Sequence, residues 1–266
     1  MRTLRGTLGS FIKASPMLVA SMLLAQAGSQ NGNPATIPPE AEQIVQLVDH
    51  ARAEAGAGAL QWDTALAEAA RQHCLRMAAE ESIEDQFDGE PTLTERANHA
   101  GAHFNLIAES AATGSAPAEI YGEWMNSPED RSNLLNQQMD RIGVAFIPSH
   151  GTLYIVADVE RAVPLLTQVQ VEAAIEGLLR RSGITVLHDA TAARAVCATD
   201  RPLSRDEAGR HPGFVLRWQE SDLTRLPDAL TTQIKSPLYS QAEVGSCAPQ
   251  DVKGAFTTYR VAVLLY

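Results

Sequence analysis

The stretch Glu123–Leu135, EWMNSPEDRSNLL, joins an aromatic anchor, Trp124, to a proline-started helix that carries a carboxylate, Asp130. Ser127 reads as the N-cap, Pro128 as a first-turn residue, and Asp130 as a side chain reaching back to an orphan backbone N–H. The Ser-x-x-Asp spacing makes capping a sufficient job for Asp130, and a place in a site wall would be additional.

Other reactive types are poorly placed. No Gly-x-Ser-x-Gly elbow and no phosphate-cradling glycine loop occurs, so acyl transfer and nucleotide binding lack their usual frames. Cys74 falls in step with apolar residues of a helix, where a thiol fills core and nothing nearby lowers its pKa. His99 and His103 have the i, i+4 spacing of a helical metal pair, but Gly101 between them ends the helix. His73, inside a helix, reads as structural. His50, His150, His188 and His211 have no partner at a defensible spacing. Cys197 and Cys247 both lie in the C-terminal part and are the expected disulfide pair in an oxidising compartment.

Such a compartment is indicated by the N-terminus. Arg2, Arg5 and Lys13 form a basic region, Met17–Leu24 is a short apolar core, and Ala25-Gln26-Ala27 fits small-residue cleavage, so residues 1–27 read as a signal peptide. The apolar core is shorter than the ~18 to 20 residues that cross a bilayer. Cleavage would take the formal net charge from −11 to −14, because three cations leave with the presequence. A chain this acidic is repelled by phosphate backbones and anionic lipids, which excludes nucleic acid as a partner.

Residues 28–39 are a polar, Pro- and Gly-containing linker. From Glu40, apolar residues recur at helical spacing through Ala51, and a second helix after Asp63 shows Leu66, Ala69, Ala70, Cys74 and Met77 on one face. Thr92 and Glu95 make a capping box for a third helix closed by Gly101, and a fourth runs over about 116–125. Then the period changes to two: Ile142, Val144, Phe146 and Leu153, Ile155, Ala157, Val159 predict a hairpin turned at Ser149-His150-Gly151. After Leu165 the pattern restarts with a helix carrying Val171, Ile175 and Leu179. It continues with a strand at 184–187, a short helix at 190–197, strands at 214–218, 239–244 and 256–265, and a helix over 223–234. The last strand is apolar on both faces and belongs in the middle of a sheet. The fold class is α+β, with a first domain at 40–163 and a second, smaller α+β domain at 165–266.

The order of the segments LVDHARAEAGAGALQWDTALAEAARQHCLRMA, GEPTLTERANHAG, LIAESAATG, WMNSPEDRSNLL and DRIGVAF resembles the bacterial SCP-like branch of the CAP superfamily over about residues 40–163. The resemblance implies an α-β-α sandwich and a cleft lined by two histidines and one or two glutamates, in some members holding a divalent metal. Carried over, the glutamate is Glu109, its neighbour is Ser110, and the two histidine positions fall at or beside Asp85 and at Asp130. Trp124, Arg131 and Asn133 match as they stand, and with Ser110 they are the expected cleft lining.

With both family histidines replaced, the implied cleft is acidic. Zinc is not expected there, no cofactor is expected, and carboxylates would suit only calcium or magnesium. Convergence of Asp85, Glu109 and Asp130 would raise a carboxylate pKa unless an arginine, Arg131 or Arg96, compensates. The leading expectation is a secreted, periplasmic or extracellular binding module without catalysis, whose ligand is a peptide, glycan or lipid. The alternatives are a hydrolase pairing Glu109 with Asp130 or Asp85, and an interaction protein acting through its C-terminal domain.

Overall fold

A computed structural model describes residues 37–199, 211–249 and 256–266. The expected signal peptide, and the linker up to Thr36, lie outside the described residues. Residues Ile37–Tyr266 cluster as one unit, built around two four-stranded sheets.

The first sheet has strand order β1-β3-β4-β2, with β1 at Gln61–Trp62, β2 at Phe104–Gly114, β3 at Arg141–Ser149 and β4 at Thr152–Ala162. β3 and β4 form the predicted hairpin, and positive φ at His150 (49°) and Gly151 (82°) gives its turn the twist that paired strands need. One face is covered by α1 (Pro39–Glu54) and α4 (Pro117–Asn126), whose Ile44, Val48, Ile120 and Trp124 pack on Ile142, Val144, Ile155, Ala157 and Val159. The opposite face is covered by α2 (Thr64–Glu80), whose Ala70, Cys74 and Met77 meet Ala145, Tyr154 and Val156. The result is the expected α-β-α sandwich.

Local chemistry sets the helix boundaries. Asp63 caps α2 by accepting from the backbone N–H groups of Ala65 (2.8 Å) and Leu66 (3.1 Å). α3 (Leu93–Ala100) opens on a Thr92/Glu95 capping box and closes at Gly101 with φ 97°. α5 (Pro128–Leu134) is capped by the Ser127 hydroxyl, which accepts from the Asp130 N–H at 3.3 Å. The Ser127 N–H, which a reach-back from the Asp130 carboxylate would have taken, donates instead to the Glu123 carbonyl at 3.0 Å. Arg52 of α1 is fully buried and donates to the carbonyls of Gly58, Leu134, Asn136 and Met139 at 2.7 to 2.9 Å, so one guanidinium closes the loops at that end of the sheet.

The second sheet has order β5-β7-β8-β6, with β5 at Thr185–Val186, β6 at Phe214–Glu220, β7 at Gln241–Cys247 and β8 at Tyr259–Leu265. β8 is buried along its whole length between β7 and β6, the central position its double-faced apolarity predicts. α6 (Gln168–Arg181) and α8 (Asp228–Ile234) cover one face and α7 (Thr191–Ala198) the other. α8 is shorter than its apolar pattern suggested, because Pro227 sits at its cap and the preceding residues form bends. Cys197 and Cys247 form a disulfide tying α7 to the end of β7.

Candidate functional site

Glu109, Asp158 and Gly143 stand side by side across β2, β4 and β3, so they share one face of the first sheet. That face lies under α2. A Cβ on Gly143 would fall 2.0 Å from the Ala67 backbone nitrogen and 2.3 Å from the Leu66 carbonyl carbon, so only glycine lets the helix settle this close. The close approach lowers the next turns of α2, and His73, fully buried, arrives against the acidic row.

His73 Nδ1 donates to Glu90 Oε1 at 2.8 Å, and its Nε2 faces Glu109 Oε1 at 3.7 Å. Arg96 of α3, 1 % exposed, donates through Nη2 to Glu109 Oε2 at 2.5 Å and through Nη1 to the Pro91 carbonyl at 3.0 Å, with Nη1 3.6 Å from Glu90 Oε1. Glu90 is fixed by its loop, since its Oε2 accepts from the Phe87 N–H at 3.0 Å and its carbonyl accepts from the Gln86 amide at 2.7 Å. Two cationic or proton-bearing side chains therefore bridge two carboxylates in a buried ring.

Asp158 sits beneath this ring with no exposure, and neither of its oxygens finds a donor. Burial, together with the neighbouring Glu109 charge, pushes its carboxyl well above the usual range. Protonated, it becomes a donor and can bond Glu109, which removes the repulsion and satisfies one of its two oxygens. A second raised acid, Glu160, lies along the same strand: burial, reinforced by Asp63 and Asp140, lifts it to about 8, against the opposing pull of Arg141.

Both groups hold protons in the fold that the unfolded chain, with carboxyl pKa values near ~4, has already released. Their contribution is complete below that range and is lost as pH rises toward the folded values. Thermal scans are thus expected to show the wild type losing roughly 5 °C between pH 5 and pH 9 relative to Glu160→Gln, which lacks one of the two titrations. Parallel pH profiles for the two proteins would show that Glu160 is already ionised in the fold.

The expected site residues divide. Glu109 is central, and Arg96 is the arginine that compensates it. Asn133 supports the same strand position, its side-chain amide donating to the Glu109 carbonyl at 3.1 Å. Asp85 is exposed in the loop after α2, and Asp130 lies in the first turn of α5. No hydrogen bond or ion pair among the described residues joins either to Glu109, and no three of the described His, Cys, Asp and Glu side chains are grouped to hold a metal ion. Trp124 and Ser110 are buried at 1 % and 2 % exposure rather than lining a cleft; Trp124 is needed to fill the space between α1 and the sheet. Arg131 lies over an open hollow with Pro128, Ser132 and Leu135.

The expectation of a centre without imidazole is also corrected. His99 is exposed on α3, and His103 precedes β2, but His73 stands beside Glu109. Its apolar-face position made it look structural; the sequence carried no signal that the facing strands would present acids there. Cys74 meets its expectation, buried among carbonyls with its thiol pushed up to about 12 by burial.

Two cavities bear on function. A hollow of about 230 Å³ over the ring is lined by Gln72, Arg76, Asp88, Gly89, Glu90, Pro91 and Arg96. A cavity of about 610 Å³ lies where the two sheets' elements meet, walled by Leu165, Leu166 and Val171 on one side and Phe256 and Tyr259 on another.

Residues 45–159 match the family described as the cysteine-rich secretory protein family, CAP. This segment is a CAP domain. A curated relative, the uncharacterized protein YkwD of Bacillus subtilis, is 26% identical over 117 residues, covering 44% of this chain and 46% of that protein, so the chain spans about half the length of the relative it matches. An extracellular SCP-domain protein of Bacillus anthracis is 26% identical over 45% of this chain and 39% of that chain, with a TM-score of 0.42. Na-ASP-1 is 9% identical over 88% of this chain and 90% of that chain, with a TM-score of 0.47. No described helix is long and apolar enough to cross a membrane. The family match stops before the second sheet.

Proposed function

We propose that the protein is a secreted, non-catalytic recognition module whose ligand cavity lies between the CAP domain and the elements of the second sheet. The observation that carries this reading is the pair of cavities. The roughly 610 Å³ space at the junction has the size and apolar walls of a small-molecule or peptide-side-chain site, whereas the hollow beside Glu90 and Arg96 is less than half that volume. The placement favours a role for the C-terminal half in binding.

Hydrolysis is disfavoured by what holds Glu109. Its carboxylate is occupied by Arg96, and its acidic neighbour Asp158 is out of solvent, so the pair has no room for the water or substrate oxygen that paired-carboxylate chemistry needs. Zinc fits poorly as well. His73 Nδ1 is committed to Glu90, and a guanidinium already stands against the glutamate where a cation would sit.

The test uses an amphipathic reporter dye, anilinonaphthalene sulfonate, and a panel of peptide and glycan substrates. Saturable one-to-one dye fluorescence, lost in Val171→Trp but retained in Glu109→Gln, together with no turnover, is the expected result. Turnover abolished by Glu109→Gln would overturn the proposal, as would dye binding indifferent to Val171→Trp.

A further inference from the structure

The two sheets are built alike. β1-β3-β4-β2 and β5-β7-β8-β6 each place a two-residue strand parallel to one arm of an antiparallel pair, with the fourth strand antiparallel on the far side. Without α3 and α5, the first set of elements runs α-β-α-β-α-β-β, which is the order of the second set. In both, the first and third helices cover one face and the second helix the other.

Agreement reaches single residues. α1 ends at Glu54 and α2 begins at Thr64, while α6 ends at Arg181 and α7 begins at Thr191, a constant interval of 127 residues. The same interval carries buried Ile44, Val48 and Arg52 onto buried Val171, Ile175 and Leu179, and the N-cap Asp63 onto the N-cap Ala190. It also carries the peptide bond Leu66–Ala67 onto Ala193–Arg194. Those are the bonds that press on a strand glycine in each half: a Cβ on Gly143 would meet the Ala67 nitrogen at 2.0 Å, and one on Gly245 the Arg194 nitrogen at 2.2 Å. General α/β layering explains a helix on a sheet, but not the same bond over the same glycine.

We infer that residues 165–266 are a second, reduced copy of the CAP sandwich in which the acidic centre has been replaced by a cation. Across the first sheet the row is Glu109, Asp158, Gly143; across the second it is Arg217, Ala262, Gly245. Arg217 thus takes the seat of Glu109 and alanine that of the buried acid. The guanidinium donates to the Thr199 carbonyl at 2.5 Å and the Val196 carbonyl at 3.4 Å, at the C-terminal end of α7, where a positive charge is favoured. The cap lost with Asp63 is also replaced, because the Ala193 N–H donates to Glu243 of β7 at 2.8 Å. The paired acids of that row belong to the first copy alone, and the second serves as a wall for the junction cavity.

The correspondence locates a cross-link for the first copy. Cys197 and Cys247 lie four residues after Ala193 and two after Gly245; the matching positions in the first copy are Ala70 and Ala145, which are buried in one cluster. The full chain carrying Ala70→Cys and Ala145→Cys in a Cys74→Ala background is expected to oxidise in air, with both new thiols lost to titration and a reductant-sensitive rise in Tm. Free thiols in a folded protein would overturn the inference. If that variant does not fold, a crystal structure of the wild type decides. One rigid superposition of the two sheets is expected to bring Gly143 onto Gly245 and Glu109 onto Arg217 together, and a different strand order in either half would sink the idea.

Discussion

Arg96→Met is expected to destabilise the protein by about 3 to 5 kcal/mol, the range for removing one partner of a buried ion pair. Arg96 is 1 % exposed and is the strongest contact of Glu109, whose other oxygen lies 3.7 Å from the His73 ring nitrogen, with the buried Asp158 carboxyl beside the pair. Without the guanidinium, the ring holds Glu90 and Glu109 against a single imidazole, with Asp158 beneath. One carboxylate must then stay charged and unpaired or take up a proton. Methionine keeps much of the apolar stem, so the loss measured is mainly electrostatic. Urea denaturation of Arg96→Met, Glu109→Gln and the double variant checks this. The double variant is expected to recover part of the loss, because it removes the stranded charge. A single variant within about 1 kcal/mol of wild type, the usual limit for an exposed pair, would show the ring to be solvated.

Gly143→Ala is the second large effect, with an expected cost of about 3 kcal/mol or more. Overpacking typically costs ~1 to 3 kcal/mol where side chains can move aside, but here the obstacle is the α2 backbone, 2.0 Å from the new methyl group. The helix must lift off β3, which opens the packing of Leu66 and Ala70 and draws His73 away from Glu109. A fall in Tm accompanied by greater hydrogen exchange across α2 is the expected signature. Gly89→Ala makes a control for a glycine with space around it, although its φ of 74° adds local strain. Equal, small losses in both variants would mean that α2 does not ride so close.

Much of the architecture was legible in the sequence because its signals are local. Thr92 and Glu95 are three residues apart and make their own capping box; Ser149-His150-Gly151 turns the hairpin with residues that accept the required φ. The double-faced apolarity of Phe256–Leu265 requires neighbours on both sides, and β8 has them. β2 was not legible as a strand, because the small residues Ala108, Ser110, Ala111 and Ala112 blur the alternation that marks a strand, and what defines it is its pairing with β4.

The chemistry of the centre divides along the same line. By itself the sequence determined the capping residues, the helical face that holds Cys74, the C-terminal cysteines as the candidate pair, and Glu109 through the order of its family segments. The caps and the helical face rest on spacing within a few residues, Glu109 on matched motifs, and the cysteine pair on both thiols lying in the C-terminal part. Only the tertiary structure decided that neither Asp130 nor Asp85 bonds to Glu109, that His73 and Arg96 join it, and that burial raises the Asp158 carboxyl well above its usual range. Those outcomes depend on strand register and on the approach of α2 to Gly143, which bring together residues up to 85 positions apart in the chain, from His73 to Asp158. The kinship of the two halves is hidden for the same reason. Backbone packing preserves a glycine under a helix and the order of strands, while the side chains that a sequence displays, Glu109 against Arg217 and Asp158 against Ala262, have changed charge and size.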